Sequence, residues 1–426
     1  MNKQDYKIYI VGAGVSGLVA ARILEDNGFN PVIIEATDRV GGRVKTDIVQ
    51  GYQLDHGFQV LLTAYPAAKK FLNLEALELQ KFLPGATIFN NGGNKTIGDP
   101  LRNLSLLIPT LFSGIGTFSD KVKILKLNAL LKKTTLSEIF AKTEKTTIQY
   151  LVDFGFSTEM ISKFFKPFFS GIFLEPKLET SSRMFEFVYK MFGEGFAALP
   201  KAGIEAIPKQ LQEHLKKTTI KFNTKVKAVE NGKILLANGT KLESHFTIIA
   251  TAPSALISNL KNQETQWKSC DTLYFEIETR TIEKPLIGLI TNEDALVNNI
   301  FYHTSIKSQS KGNKELLSVT VVKNHNLSNE DLKIQVEKEL TDYCGITIFS
   351  FIKQYSIAKA LPNLNALQNE MLPSETRLTS GVFLAGDTQL NGSLNAAMIA
   401  GERAALGVIE TLTSTIPSTS FTSEFN

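Results

Sequence analysis

Cysteine is nearly absent: Cys270 and Cys344 are the only two in 426 residues. They are too few for a disulfide framework and do not form a Cys-x-x-Cys pair, so a reducing, cytoplasmic setting fits best. Histidine is as scarce, five scattered residues without metal-ligand spacing, and no protein-bound metal is expected. Charge of one sign is lacking too. The chain carries 46 Lys and Arg against 42 Asp and Glu, a net +4, and no basic cluster of the kind that binds nucleic acid. No apolar run matches the roughly 20 residues of a spanning helix. The uncharged stretch 103–119 is broken by Pro109, Gly114 and Gly116. The apolar run 8–11 leads straight into glycines and does not read as a signal peptide.

What remains is a globular composition, 43% hydrophobic and 21% charged, in a chain longer than one ordinary domain. Its beginning carries the most information. Residues 7–11 (KIYIV) predict a buried parallel strand, and Gly12-Ala13-Gly14-Val15-Ser16-Gly17 follows without a gap. A helix is expected over 18–27, ended by Gly28, and a second strand over 31–34, ended by Glu35. In this strand–turn–helix–strand–acid order each glycine has a mechanical task. Gly12 makes the tight turn, Gly14 admits a pyrophosphate to the backbone, and Gly17 lets helix pack on strand. The N–H groups at the helix start, around Val15 and Ser16, face the phosphates, and Glu35 is placed to accept hydrogen bonds from a ribose.

The next residues, Glu35-Ala36-Thr37-Asp38-Arg39-Val40-Gly41-Gly42-Arg43, narrow the dinucleotide. Here the sequence resembles the flavoprotein superfamily that includes amine oxidases, protoporphyrinogen oxidase and phytoene desaturases. In that superfamily an acid and Arg-x-Gly-Gly-Arg follow the second strand, and the cofactor is FAD. Gly41 and Gly42 would bring backbone amides to the pyrophosphate, with Arg39 and Arg43 to neutralise it. Further on, a strand at 381–385 (GVFLA), Gly386-Asp387-Thr388 and a helix over 391–403 resemble the closing segment of the family. The resemblance implies that Asp387 approaches the ribityl and pyrophosphate region. It also implies that the helix start around Leu394 and Ala396 stabilises reduced flavin. It places a backbone contact to adenine at Val226, in a hairpin of 221–230 and 233–236 around Asn231-Gly232. A strand at 246–251 followed by Ala252-Pro253 corresponds to another segment near the pyrophosphate. Asp55-His56-Gly57-Phe58-Gln59 corresponds to the segment beside the flavin ring, which makes His56 the one weak catalytic candidate.

The expected fold is therefore α/β. A discontinuous Rossmann-like FAD domain (1–60, 199–255, 376–412) would carry a mixed α+β substrate domain (61–198, 256–375) with a helical subdomain, and 413–426 would be a flexible tail. Helices are expected over 65–82, 118–133 and 329–343, and strands over 273–277, 286–290, 316–322 and 346–352. Ten aromatics crowd residues 164–196, too many for one helix face, so several should line a cavity suited to a lipophilic substrate. Residues 118–133 interleave leucines with lysines, as an ordinary surface helix or, alternatively, a peripheral membrane contact. Cys270 and Cys344 lie outside the three cofactor segments, and neither Cys nor His occurs in 386–397, so FAD should be non-covalent. Many amine oxidases place a lysine on a central strand of the substrate domain. The matching residues 273–277 have none, and Lys268 lies upstream, which favours the desaturase or porphyrinogen side. The expected activity is oxidation or desaturation of an isoprenoid- or porphyrinogen-like molecule. Amine oxidation is the first alternative, and a prenyl-binding escort without flavin the second.

Overall fold

The computed structural model describes residues 2–90, 93–257, 260, 264–310, 312–347 and 350–413. Five parallel strands form one sheet: β1 (Ile8–Val11), β2 (Val32–Ile34), β3 (Thr219–Lys221), β4 (Phe246–Ile249) and β5 (Val382–Leu384), in the order β3-β2-β1-β4-β5. They come from widely separated stretches of chain. Helices cover the sheet, so its central residues Ile10, Ile33, Ile248 and Phe383 are fully buried, as continuous apolar runs in a parallel sheet require. Helix α1 (Val15–Asp26) lies against α2 (Leu394–Thr413). A side chain at Gly401 would stand 2.2 Å from the carbonyl oxygen of Ser16, so only glycine permits this approach. Thus the first turn of α1, the helix that follows β1, packs about two turns into α2, the helix that follows β5.

A second, seven-stranded sheet runs in the order Ser350–Asn363, Gln266–Ile277, Glu315–Val321, Val297–Tyr302, Ile287–Ile290, Gly85–Asn90, Gly93–Gly98. Only the pairing of Ile287–Ile290 with Gly85–Asn90 is parallel. Helices Phe118–Lys133, Lys166–Phe173 and Ser182–Glu194 belong to a layer whose core is aromatic, with Phe165, Phe169, Phe185 and Phe187 buried. The mixed α/β architecture is the one expected. Among the described residues no helix is long and apolar enough to cross a membrane.

Several local expectations are corrected. The helix α1 begins at Val15 rather than Leu18. Residues 65–82 are helical only over Pro66–Phe71, because Leu72 turns extended and Gln80–Lys81 pairs with Ala197–Leu199. The strand expected over 221–230 breaks at Asn223, whose positive φ of 52° ends β3, so that Val226–Glu230 starts a separate hairpin. Of the strand expected over 346–352, Ile346 and Thr347 lie in no strand, since Gly345 caps the preceding helix and Ile346 bonds back to Leu340; residues 348–349 lie outside the described residues, and the strand Ser350–Asn363 extends well past 352. Strands Val297–Tyr302, Gly85–Asn90 and Gly93–Gly98 lie where none was foreseen. Of the expected tail, Thr413 still belongs to α2, and the rest lies outside the described residues.

Candidate functional site

A cavity of about 2080 Å³ opens where β1, β2, β4 and β5 end. Gly12, Glu35, Ala250 and Gly386, the residues just beyond those four strands, all line it. A ligand site outside the carboxyl ends of a parallel sheet follows from the topology, because the loops there diverge where the order switches between β1 and β4.

The glycine turn is held by its neighbours. Gly12 N–H donates to Ile34 O at 2.9 Å, and Gly41 N–H to Ala13 O at 2.9 Å. Gly17 is structural, since a side chain there would come within 2.0 Å of Gly12 O. Gly14 differs: its φ is −70° and nothing lies within 4 Å of where its side chain would be, on the cavity wall. As the residue before α1, Gly14 has no side chain to cap the helix, so the first-turn N–H groups are left for another acceptor. The hydroxyl of Ser16, buried on the same wall, has no hydrogen-bond partner. Gly42 packs against Gly14, and Ser393 and Leu394 bring the start of α2 to the same cavity. Two helix N-termini, a glycine cradle and an unpaired hydroxyl are what a pyrophosphate-containing cofactor needs, so the residues present fit FAD.

Arg43 reaches across the cavity. Its guanidinium donates to Asp387 Oδ1 at 2.5 Å, donates to Ala360 O at 3.3 Å and lies 5.1 Å over the Trp267 ring. The N-terminal and closing motifs are thereby joined through one ion pair. Arg39 is not at the cavity: it pairs with Asp47 at 2.6 Å and with buried Glu205 at 3.3 Å. The expectation that it neutralises a pyrophosphate is corrected, because two carboxylates already hold it. Glu35 is also engaged. Oε2 accepts the Ala13 N–H at 2.7 Å, and Oε1 accepts the Thr37 N–H and hydroxyl, each at 2.8 Å. It lines the cavity while clamping the glycine turn.

Gly12, Gly14, Val15, Ser16, Glu35, Gly41, Gly42, Arg43, His56, Gly57, Phe58, Gln59, Gly386, Asp387 and Leu394 are therefore brought to one wall system. Outside it stand Gly17, Arg39, Ala36, Val226 and Ala396. Ala36 is exposed, Val226 packs behind the sheet with Val11, Ile34 and Ile249, and Ala396 is buried inside α2, leaving Ala397 to face the cavity.

The segment 55–59 is anchored by buried Asp55, whose Oδ1 accepts the Thr46 hydroxyl at 2.6 Å and the Ile204 N–H at 3.1 Å. Burial pushes the Asp55 carboxyl up to about 6, against those two donors. Next to it, His56 Nε2 lies 2.9 Å from Asp47 Oδ2, and its ring packs on Tyr355 with centroids 4.4 Å apart. Partial burial raises the Asp47 carboxyl, but donors from Arg39, His56 and Tyr355 outweigh it and hold the group well below the carboxylate range. A permanent anion thus orients His56 on the cavity wall.

Further in, the wall becomes apolar. Phe164, Phe168, Phe169, Phe173, Tyr189, Phe192 and Phe196 line it, whereas Phe165, Phe185 and Phe187 serve the core. Two residues that sequence reasoning set aside are here as well. Lys268 is on the strand Gln266–Ile277, which begins seven residues earlier than expected. It faces the cavity, donates to Thr180 Oγ1 at 2.9 Å and has its pKa lowered by burial, against the nearby Glu175 and Glu179. Cys270 also lies on the wall, opposite Ile357, with its thiol pushed up to about 12 by burial. Both follow from the length of that strand, whose polar start hides it from apolar patterning.

Comparison with known proteins agrees with this geometry. The family model described as flavin containing amine oxidoreductase matches residues 15–409. The chain is similar to an amine oxidase [flavin-containing] of Danio rerio, 50% identical over 46 residues, 11% of this chain and 9% of that one. The matched segments span no more than about a third of the curated relatives' length. Among solved structures, a candidate protoporphyrinogen oxidase from Exiguobacterium sp. 255-15 superposes with a TM-score of 0.69 and 18% identity, covering 96% of this chain and 99% of that one. Cyclohexylamine oxidase from Brevibacterium oxydans IH-35A gives 0.66 and 16%, covering 96% and 100%.

Proposed function

The chain belongs to the flavin-containing amine oxidoreductase family, and from that premise we propose that it uses non-covalent FAD to oxidise or desaturate a lipophilic small molecule of isoprenoid or porphyrinogen kind. The observation that carries the proposal is the continuity of one cavity, from the glycine cradle at Gly14 and Gly42 to the aromatic wall at Phe164–Phe196. Its 2080 Å³ exceeds the roughly 300–1,000 Å³ of a single small-ligand site and leaves room for a large substrate beside a cofactor.

Gly12, Gly14, Ser16, Gly42 and the start of α1 would hold the pyrophosphate. Arg43, fixed by Asp387, would add positive charge near it, and the start of α2 would face the ring end. A bound flavin supplies a two-electron acceptor. The protein's own part is to bind and orient: the aromatic wall excludes water and presses an apolar substrate into place, and His56, held by Asp47, offers a ring nitrogen for moving a proton. Cys270, kept as a neutral thiol by burial, is a poor nucleophile for a covalent link.

Amine oxidation is the second reading. Glu175 and Glu179 on the cavity wall offer carboxyl groups to an ammonium, and Lys268 is no longer missing. Anaerobic mixing of the purified holoprotein with porphyrinogens, carotenoid precursors and primary or polyamines separates the two, with bleaching of the flavin band as readout. Bleaching by an apolar precursor supports the first reading; bleaching by amines alone replaces it with the second. A colourless protein that retains prenylated peptide and cannot be loaded with FAD would favour an escort role instead.

A further inference from the structure

Ten of the sixteen exposed large hydrophobic side chains among the described residues fall between Leu101 and Leu130. The most exposed are Leu104, Phe112 and Phe118, at 81%, 83% and 82%, and the other six are spread over the rest of the chain. Apolar exposure gathered in this way marks an interaction surface. The helix Phe118–Lys133 divides its apolar residues between two faces. Leu127 and Leu131 are buried in the core, while Phe118, Val122 and Leu125, spaced four and three residues apart, share the outer face. At a helical period of 3.6, Lys121 and Lys132 flank that stripe on one side, Lys126 and Lys133 on the other. The neighbouring helix Leu107–Phe112 adds Ile108, Leu111 and Phe112, and Lys121 Nζ donates to Leu111 O at 3.3 Å across the pair.

Two further observations choose the occupant. Between residues 101 and 133 the only acid is Asp120. It is fully buried, with its carboxylate accepting from Ser157 at 2.7 and 2.8 Å and from Thr117. Within residues 101–133 the surface is therefore apolar and cationic with no exposed acid, which complements acyl chains beneath anionic headgroups. A second copy would set lysines against lysines. Moreover, Leu107, Leu111, Phe118, Val122 and Leu125 also line the large cavity. The apolar surface is the rim of the cavity's opening.

We propose that this rim docks on an anionic phospholipid bilayer, so that the cavity opens to the hydrocarbon region and an apolar molecule passes between membrane and protein without crossing water. The inference goes beyond the flavin reading and is tested without substrate. Holoprotein is sedimented with phosphatidylcholine vesicles, with and without 30% phosphatidylglycerol, at low and high salt. Binding should need phosphatidylglycerol and weaken with salt. The double variant Leu104→Asp/Phe112→Asp, at exposed positions that do not line the cavity, should keep the wild-type melting temperature and visible spectrum and lose at least tenfold in partitioning. Replacing Lys121, Lys126, Lys132 and Lys133 by Gln should abolish the preference for anionic vesicles. No binding by wild-type protein, equal binding by the Asp variant, or a concentration-dependent dimer that the same Asp substitutions dissociate would each overturn the proposal. All three leave the flavin reading untouched.

Discussion

Replacing Glu35 by Gln tests how the cofactor cradle is built. A carboxylate offers about four lone-pair positions, and Glu35 uses three, on Ala13 N–H, Thr37 N–H and the Thr37 hydroxyl. The hydroxyl has a second acceptor in Arg39 O at 3.0 Å, so Gln can serve Thr37 with its one oxygen. Its amide would then meet the Ala13 N–H donor to donor. A buried donor left unsatisfied costs about 1–3 kcal/mol, and the loss falls on the turn that faces the pyrophosphate. Glu35→Gln should therefore lower the melting temperature of the flavin-free protein by roughly 2–6 °C. FAD affinity should fall only by whatever further cost the cofactor's binding adds at that turn, at most about 5- to 150-fold. Turnover at saturating FAD should remain near wild type, because the change is remote from the aromatic compartment. Differential scanning fluorimetry of apoprotein and holoprotein, with a fluorescence titration of FAD, reads both effects. Weaker FAD with unchanged apoprotein stability would refute the clamp and return Glu35 to a ligand-only role.

Gly14 and Gly17 should behave oppositely. Gly14→Ala places a methyl in open cavity at an ordinary φ, so the apoprotein should melt as wild type while FAD binding collapses; Gly17→Ala collides with Gly12 O and should destabilise the fold itself. Fluorimetry with and without FAD distinguishes them, and equal melting losses would contradict the cradle geometry. Asp55 should impose a pH dependence on stability. Its folded pKa of about 6 lies above the unfolded value near 3.9, so its contribution is fully present below about pH 4 and is lost as pH rises through 6, by up to ~3 kcal/mol. Asp55→Asn keeps the acceptor for Thr46 and Ile204, and its melting temperature should exceed wild type above pH 6.5 while the difference vanishes near pH 4. A pH-independent difference would exclude a buried, titrating Asp55.

What was legible in the sequence was local. The glycine turn, Gly41-Gly42-Arg43 and the Gly386-Asp387 turn act through backbone geometry within a few residues, and the structure brings them to one cavity. What was not legible depends on partners far along the chain. Arg39 is withdrawn from the cavity by Glu205, 166 positions away. Glu35 is consumed by a turn that its own residue type suggested it would leave free. The strand Gln266–Ile277 starts with Gln-Trp-Lys-Ser, a stretch without alternating hydrophobicity, and this hid the cavity-facing positions of Lys268 and Cys270. The aromatic run at 164–196 was read from composition, but only packing separates Phe165, Phe185 and Phe187 from the residues that face the cavity.

The central claim, that Gly14, Ser16, Gly42 and the starts of α1 and α2 form a site for non-covalent FAD, is tested most directly by the absorption spectrum of the purified protein before and after acid precipitation. The account predicts a yellow protein whose flavin is recovered as FAD in the supernatant, about one per chain, and whose apoprotein regains colour on adding FAD. A colourless protein that takes up no FAD would contradict it, and a yellow pellet would contradict the non-covalent assignment and implicate Cys270 or His56.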